Sequence, residues 1–244
     1  ANDNNAENYL WEPTNVTFRG TLDGKGHWIH NLTIIGGTGS DFYGGLVSTS
    51  KDGATFKDIN FNKVRLFANT TDCGLLAGKG YSTLVDNIHI YDMITHVNGD
   101  YDYQGAFIGR AYQSVEIYRS SADYTLETEI MCSYSGGAIG GIEANAEVTI
   151  EDVYLNVKAN LGEQTFGGVV GRTRGTLTLN RIVVHVDATV PKKSSYIIGE
   201  VSDGSGTVTD VIFDGTLTPS EIGANAVIGS GGNYTFTNVF GIAI

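Results

Sequence analysis

Two short patterns recur through this chain at one period, and that period decides what it can fold into. The first is a polar residue with an apolar residue two positions before it and, as a rule, apolar residues one and three positions after. It falls at Asn31, Asp58, Asn87, Arg119, Asp152, Arg181, Asp210 and Asn238, with successive spacings of 27, 29, 32, 33, 29, 29 and 28 residues. Every residue two before a marker is apolar, from Ile29 and Phe56 to Val208 and Phe236, and Ser120 alone breaks the column that follows the markers. The second pattern, Gly, any residue, two apolar residues, Gly, runs half a period later: GGLVS from 44, GLLAG from 74, GAFIG from 105, GGAIG from 136 and GGVVG from 167. It then degenerates to SYIIG from 195 and NAVIG from 225.

Two motifs holding one period over more than 200 residues mark a repeat architecture. Alternating apolar residues, the absence of helical spacing and a glycine at a fixed place select a β-solenoid, in which each coil stacks on the one below at about 4.8 Å. The 33 Gly and only 3 Pro fit many short strands and tight corners, and they count against helical repeats. The sequence therefore predicts an all-β, single-domain parallel β-helix (β-solenoid) of about eight coils of 28–33 residues. Residues 1–12 form an N-terminal tail and cap around Trp11, and residues 13–244 form the repeat domain. GTLDGKGHWIHNLTI, from residue 20, is the first coil, with LDGKG as a tight glycine turn. The repeated glycines are expected where the backbone takes positive φ or approaches a neighbour closely.

FRGTLDGKGHWIHNLTI followed by YGGLV, GLLAG, GAFIG and GGVVG resembles the GLUG-motif repeats of bacterial and archaeal cell-surface proteins, including the non-catalytic region of IgA-cleaving metallopeptidases. The resemblance covers residues 11 to 244, and the last two coils depart from it by losing the leading Gly. It implies a secreted parallel β-helical stalk or adhesive module with no catalytic role of its own. The peptidases' zinc motif, H-E-x-x-H, is absent, so no enzymatic residue carries over. The family's corner glycines map onto Gly74, Gly78, Gly105, Gly109, Gly136, Gly140, Gly167 and Gly171, in a structural role.

Several columns carry polar chemistry. The markers end as Arg119, Asp152, Arg181 and Asp210, an alternating ladder expected to form ion pairs between coils rather than a row of catalytic carboxylates. Thr149, Thr178, Thr207 and Thr235, three before their markers, raise an ice-binding hydroxyl array; the companion column, Thr209 and Thr237, is short, so a solvent-facing strand of good β-formers is the simpler reading. One and three residues after the second glycine stand Lys79, Tyr81, Arg110, Tyr112, Arg172 and Arg174, in the middle of which falls Glu143. Stacked in register, they form a basic and aromatic strip suited to a surface glycan or carboxylated polymer; turn support is the competing reading. Phe42, Tyr103 and Tyr134 form an aromatic column before the first glycine, and Asp100 and Asp102 flank Tyr101 in a loop too poor in oxygen ligands for calcium.

Other classes find no support in the sequence. A formal charge of −12 argues against nucleic acid as a partner, and no apolar run is long enough for membrane insertion. His27 and His30 point to opposite faces of a strand and do not share a metal, so neither metal nor cofactor is expected. Cys73 and Cys132 lie two coils apart, beyond disulfide reach, and are expected as thiols. The sequons at Asn15, Asn31, Asn69 and Asn233 are no more than chance supplies. The apolar NYTFTNVFGIAI end suggests end-to-end self-association or a longer parent chain. The expected function is a non-catalytic stalk, fibre segment or adhesin at the cell surface, outside the cell or on a virion. The alternative is a carbohydrate-active β-helix resembling polysaccharide lyases or viral tailspikes, with Glu143 as its acidic centre.

Overall fold

The computed structural model describes residues 10–12, 17–38, 43–69, 72–97, 103–128, 133–162, 165–190, 193–219, 227–229 and 231–242. All regular structure among them is β, and every strand pairing is parallel. Three sheets line the solenoid. The widest holds the long strands Ala54–Asn69, Thr83–Val97, Glu147–Leu161, Thr176–Val190 and Ser205–Pro219. A second is built of four-residue strands such as Ala77–Gly80, Ile108–Ala111 and Val170–Thr173. The third is a narrow ribbon of strands two or three residues long, from Asp72–Cys73 to Ser194–Ser195. The predicted parallel β-helix is the observed fold, in about seven turns.

Alternation drives the packing. In Glu147–Leu161 burial alternates on either side of the Asp152 corner, Val148 and Ile150 before it and Val153, Leu155, Val157, Ala159 and Leu161 after it, and the residues between them face solvent or are half-buried. Inward residues of successive coils sit directly above one another, as Phe56, Val85, Ile117, Ile150, Leu179 and Val208 do. All six are fully buried. Each such side chain contributes roughly 1.5–3 kcal/mol by leaving water, so the stack supplies most of the cohesion.

The marker residues make the corners of the wide face. Asp58, Asn87, Arg119, Asp152, Arg181, Asp210 and Asn238 all have φ between 47 and 57°. Asn and Asp tolerate this left-handed conformation because their short polar side chains bond locally; Arg does so less readily. The two arginines are held by carboxylates, Arg119 by Asp86 and Arg181 by Asp152 at 2.6 Å and by Glu151. The amides bridge coils in the same way: Asn87 donates to Asp58 at 2.7 Å and Asn238 to Asp210 at 2.8 Å. Of the expected ladder the Asp152–Arg181 rung is formed, while Arg119 turns instead to Asp86 of the preceding coil and Asp210 accepts from Asn238.

Asn31 departs from the predicted alignment. It is left-handed, at φ 55°, but its coil pairs His30 with Asn62 and Thr33 with Arg65, which places Asn31 level with Lys63 and Asp92. These form a second left-handed corner, with φ 58° at Lys63 and 57° at Asp92. The position level with Asp58 in the first coil falls in the irregular stretch between Asp23 and His27, within the predicted glycine turn. The main column thus has seven members, and the first coil joins the second corner column at Asn31 instead.

The motif glycines do not take positive φ. They are glycine because coils touch there. A Cβ on Gly109 would lie 2.4 Å from the Cys73 nitrogen, and one on Gly140 would lie 2.3 Å from the Gln104 nitrogen.

Both ends show apolar side chains. Leu10–Trp11 pairs with Thr33–Ile34 at one end, where Leu10, Trp11, Leu22 and Trp28 are exposed; Phe236, Phe240 and Ile242 are exposed at the other. No helix among the described residues is long and apolar enough to cross a membrane.

Candidate functional site: a cation and tyrosine strip on the glycine-ribbed face

The four-residue strands set the register of the strip. Their outward column reads Thr49, Lys79, Arg110, Gly141, Arg172, Glu200, one residue per coil. Two residues on, backbone bonds place Tyr81, Tyr112, Glu143, Arg174 and Ser202 in a second column. The narrow ribbon adds Asp72, Tyr103, Tyr134 and Thr165 as a third. All six residues read from the sequence, Lys79, Tyr81, Arg110, Tyr112, Arg172 and Arg174, therefore share one surface.

Their contacts run mainly to neighbouring side chains of the three columns. The Tyr81 and Tyr112 rings stack at 5.0 Å and the Tyr103 and Tyr134 rings at 5.1 Å. The Arg110 guanidinium lies 3.9 Å from the centre of the Tyr103 ring, and the Lys79 ammonium lies 3.7 Å from that of Tyr43. Arg110 donates to Asp72 and to Glu143, both at 3.1 Å. Arg174 donates to the other Glu143 oxygen at 3.4 Å. Arg172 donates to the Tyr103 hydroxyl at 3.1 Å and to Ser202 at 3.0 Å, and it pairs with Glu200 at 3.4 Å. Gly141 interrupts the cation column for a steric reason: a Cβ there would lie 2.1 Å from the Tyr103 ring, which crosses that position.

Asp72 is the member that the sequence pattern does not single out. It stands two residues before Gly74, where other coils carry Tyr103 and Tyr134, so a lone carboxylate in an aromatic column was its one visible signal. Its side chain is 1% exposed, and Oδ2 has no hydrogen-bond partner; the Lys79 ammonium is 3.9 Å away. Burial pushes its carboxyl up to about 6, against the opposing pull of Arg110 and Lys79. Burial, reinforced by the Asp72 charge, raises the Tyr112 phenol as well and keeps it neutral.

Glu143, the proposed acidic centre of the alternative reading, bridges two guanidinium groups, one at each oxygen. That is the geometry of a structural clamp between coils. Among the described residues no group of three His, Cys, Asp or Glu side chains is arranged to hold a metal ion. Cys73 is buried, whereas Phe42, Asp100, Tyr101, Asp102 and Cys132 lie outside the described residues.

Thr149, Thr178, Thr207 and Thr235 do stack in one outward column, and Asn180, Thr209 and Thr237 form the column beside it.

No family model, curated protein or solved structure matches the chain.

Proposed function

We propose that this chain is a non-catalytic β-solenoid module that acts as a rigid stalk, fibre segment or adhesin at a cell or virion surface or outside the cell. The observation that carries this reading is the direction of its polar contacts. Arg110 to Glu143, Arg174 to Glu143, Arg181 to Asp152 and His185 to Asp214 each tie one coil to the next. Side chains that an enzyme would aim at a substrate are spent here on cohesion along the axis. Exposed ion pairs give up to about 1 kcal/mol each, so their value lies in number and in fixing register.

A second reading, surface-glycan binding on the strip, keeps one specific support. Arg174 remains 40% exposed while the other strip cations are largely covered, so the strip has an open side. Self-association end to end is the partner reading that the exposed apolar residues at both ends favour.

A polysaccharide panel tests the proposal, each member read both for retention and for new chain ends. Retention without cleavage, or neither, fits a non-catalytic module. New chain ends made by the purified protein contradict it and turn attention to Glu143.

A further inference from the structure

The open side of the strip departs from the repeat. From the outward cation column to the wide face the chain uses four residues between Arg172 and Leu177, but six between Gly141 and Val148 and five between Glu200 and Gly206. The extra residues of the outer two coils lengthen the connections on either side. One carries Asn145 in the left-handed conformation at φ 66°, and the other carries Asp203. The short connection between them packs against the first at Gly175, where a Cβ would lie 2.3 Å from the Ala146 oxygen and 2.6 Å from the Glu143 oxygen. A cleft of about 380 Å³ results, two coil spacings wide, with Arg174, Gly175 and Thr176 between walls that bear Asn145, Glu147, Asp203 and Ser205. In repeat proteins, insertions confined to one face commonly build the binding surface.

The geometry points to a saccharide subsite in this cleft that takes a neutral sugar unit, and this rests on the adhesin reading above. The volume suits one ring or two. Its lining is almost wholly polar and mixes acceptors with donors: the Glu147 and Asp203 carboxylates, the Asn145 amide, the Thr176 and Ser205 hydroxyls, and the part of the Arg174 fork that Glu143 leaves open. Sugar hydroxyls both donate and accept, and bonds to charged groups are the stronger kind. Two carboxylates against one guanidinium, in a chain of charge −12, disfavour a uronic acid or a sulfated sugar. The subsite therefore differs in its preference from the acidic polymer that the row of arginines suggests.

The test is a titration of the full chain with methyl hexosides, N-acetylglucosamine and glucuronic acid, followed through backbone amide resonances. Neutral sugars are expected to shift the amides of Asn145, Gly175 and Asp203, and glucuronic acid to shift them at least about fivefold less at equal concentration, as like charge requires. Thr176→Trp, which places an indole in the cleft from an exposed position, is expected to abolish the shifts, and Thr218→Trp on the wide face to leave them intact. Matching thermal unfolding of both variants excludes misfolding. No shift at saturating neutral sugar, a stronger response to glucuronic acid, or shifts that survive Thr176→Trp would each overturn the assignment. Such a failure leaves the stalk reading standing, because that reading falls only on cleavage in the polysaccharide panel.

Discussion

The wide face and the glycine-ribbed face turn the same chain by different physics. On the wide face the corner is conformational: a left-handed residue bends the strand, and Asp, Asn and even Arg occupy it because their side chains point out to partners in an adjacent coil. On the glycine-ribbed face the corner is steric. Coils approach until no Cβ fits, as at Gly109 and Gly140, and φ stays ordinary. A conformational corner restricts residue type weakly, while a steric corner admits one residue. The difference explains why the first column reads as a mixture of polar residues and the second as near-invariant glycine.

The largest expected effect separates the two corners directly. Gly140→Ala puts a methyl group within 2.3–2.6 Å of the backbone at Gln104, Gly109 and Tyr103, so it is expected to cost about 3 kcal/mol or more, measured by urea unfolding. A cost below 1 kcal/mol would mean that the coils are not in contact there.

Next in size is a pH effect confined to the glycine-ribbed face. Asp72 has a folded-state value raised from 3.8 to about 6, so the folded chain binds the proton more tightly than the unfolded chain does. Its contribution is complete below about pH 4 and is lost as pH rises through 6, on the order of 2–3 kcal/mol at most. Asp72→Asn should flatten the fall in stability between pH 4 and 6. An unchanged slope in that variant would assign the fall to other groups.

The conformational corner is expected to respond more gently. Asp58→Ala should cost about 1–2 kcal/mol, the penalty of left-handed geometry for an ordinary side chain, and Asp58→Gly should recover most of it. Equal losses for Ala and Gly would show that the bond from Asn87, rather than φ, sets the cost.

The smallest expected effect lies on the wide face, at His185, whose imidazole is raised above its usual 6.5 chiefly by its bond to Asp214 at 2.7 Å. That pair adds stability below the usual value and loses it as pH rises past the raised one. Asp214→Asn should remove this shallow decline, seen in thermal midpoints from pH 6 to 8, and leave the Asp72 decline intact.

The period, the parallel stack, the glycine column and the shared surface of the strip were all legible in the sequence, because a solenoid repeats its residues in the order in which it stacks them. The slip at Asn31 has a local cause. The second corner, with Phe61, Lys63, Val64 and Leu66, repeats the apolar frame of the first, so spacing alone does not tell them apart. Contacts that jump columns were not legible either: the Tyr103 ring crosses to Gly141, and Asp72 is buried under Arg110 and Lys79. Side-chain length and direction set these, and neither has a period. The cleft at Arg174 was visible only as unequal connection lengths, which stand out once register is known.

The central claim, a stack whose members rise by a fixed step, is tested most directly by distances between spin labels within one column. Trp28, Asn60, His89, Ser121, Tyr154, Val183, Ile212 and Phe240 follow one another there, coil by coil. Labels at 89 and 240 should lie about 24 Å apart and labels at 28 and 240 about 34 Å apart, each coil adding about 4.8 Å. A separation that does not grow with the number of coils between the labels would contradict the solenoid and the spacer role built on it.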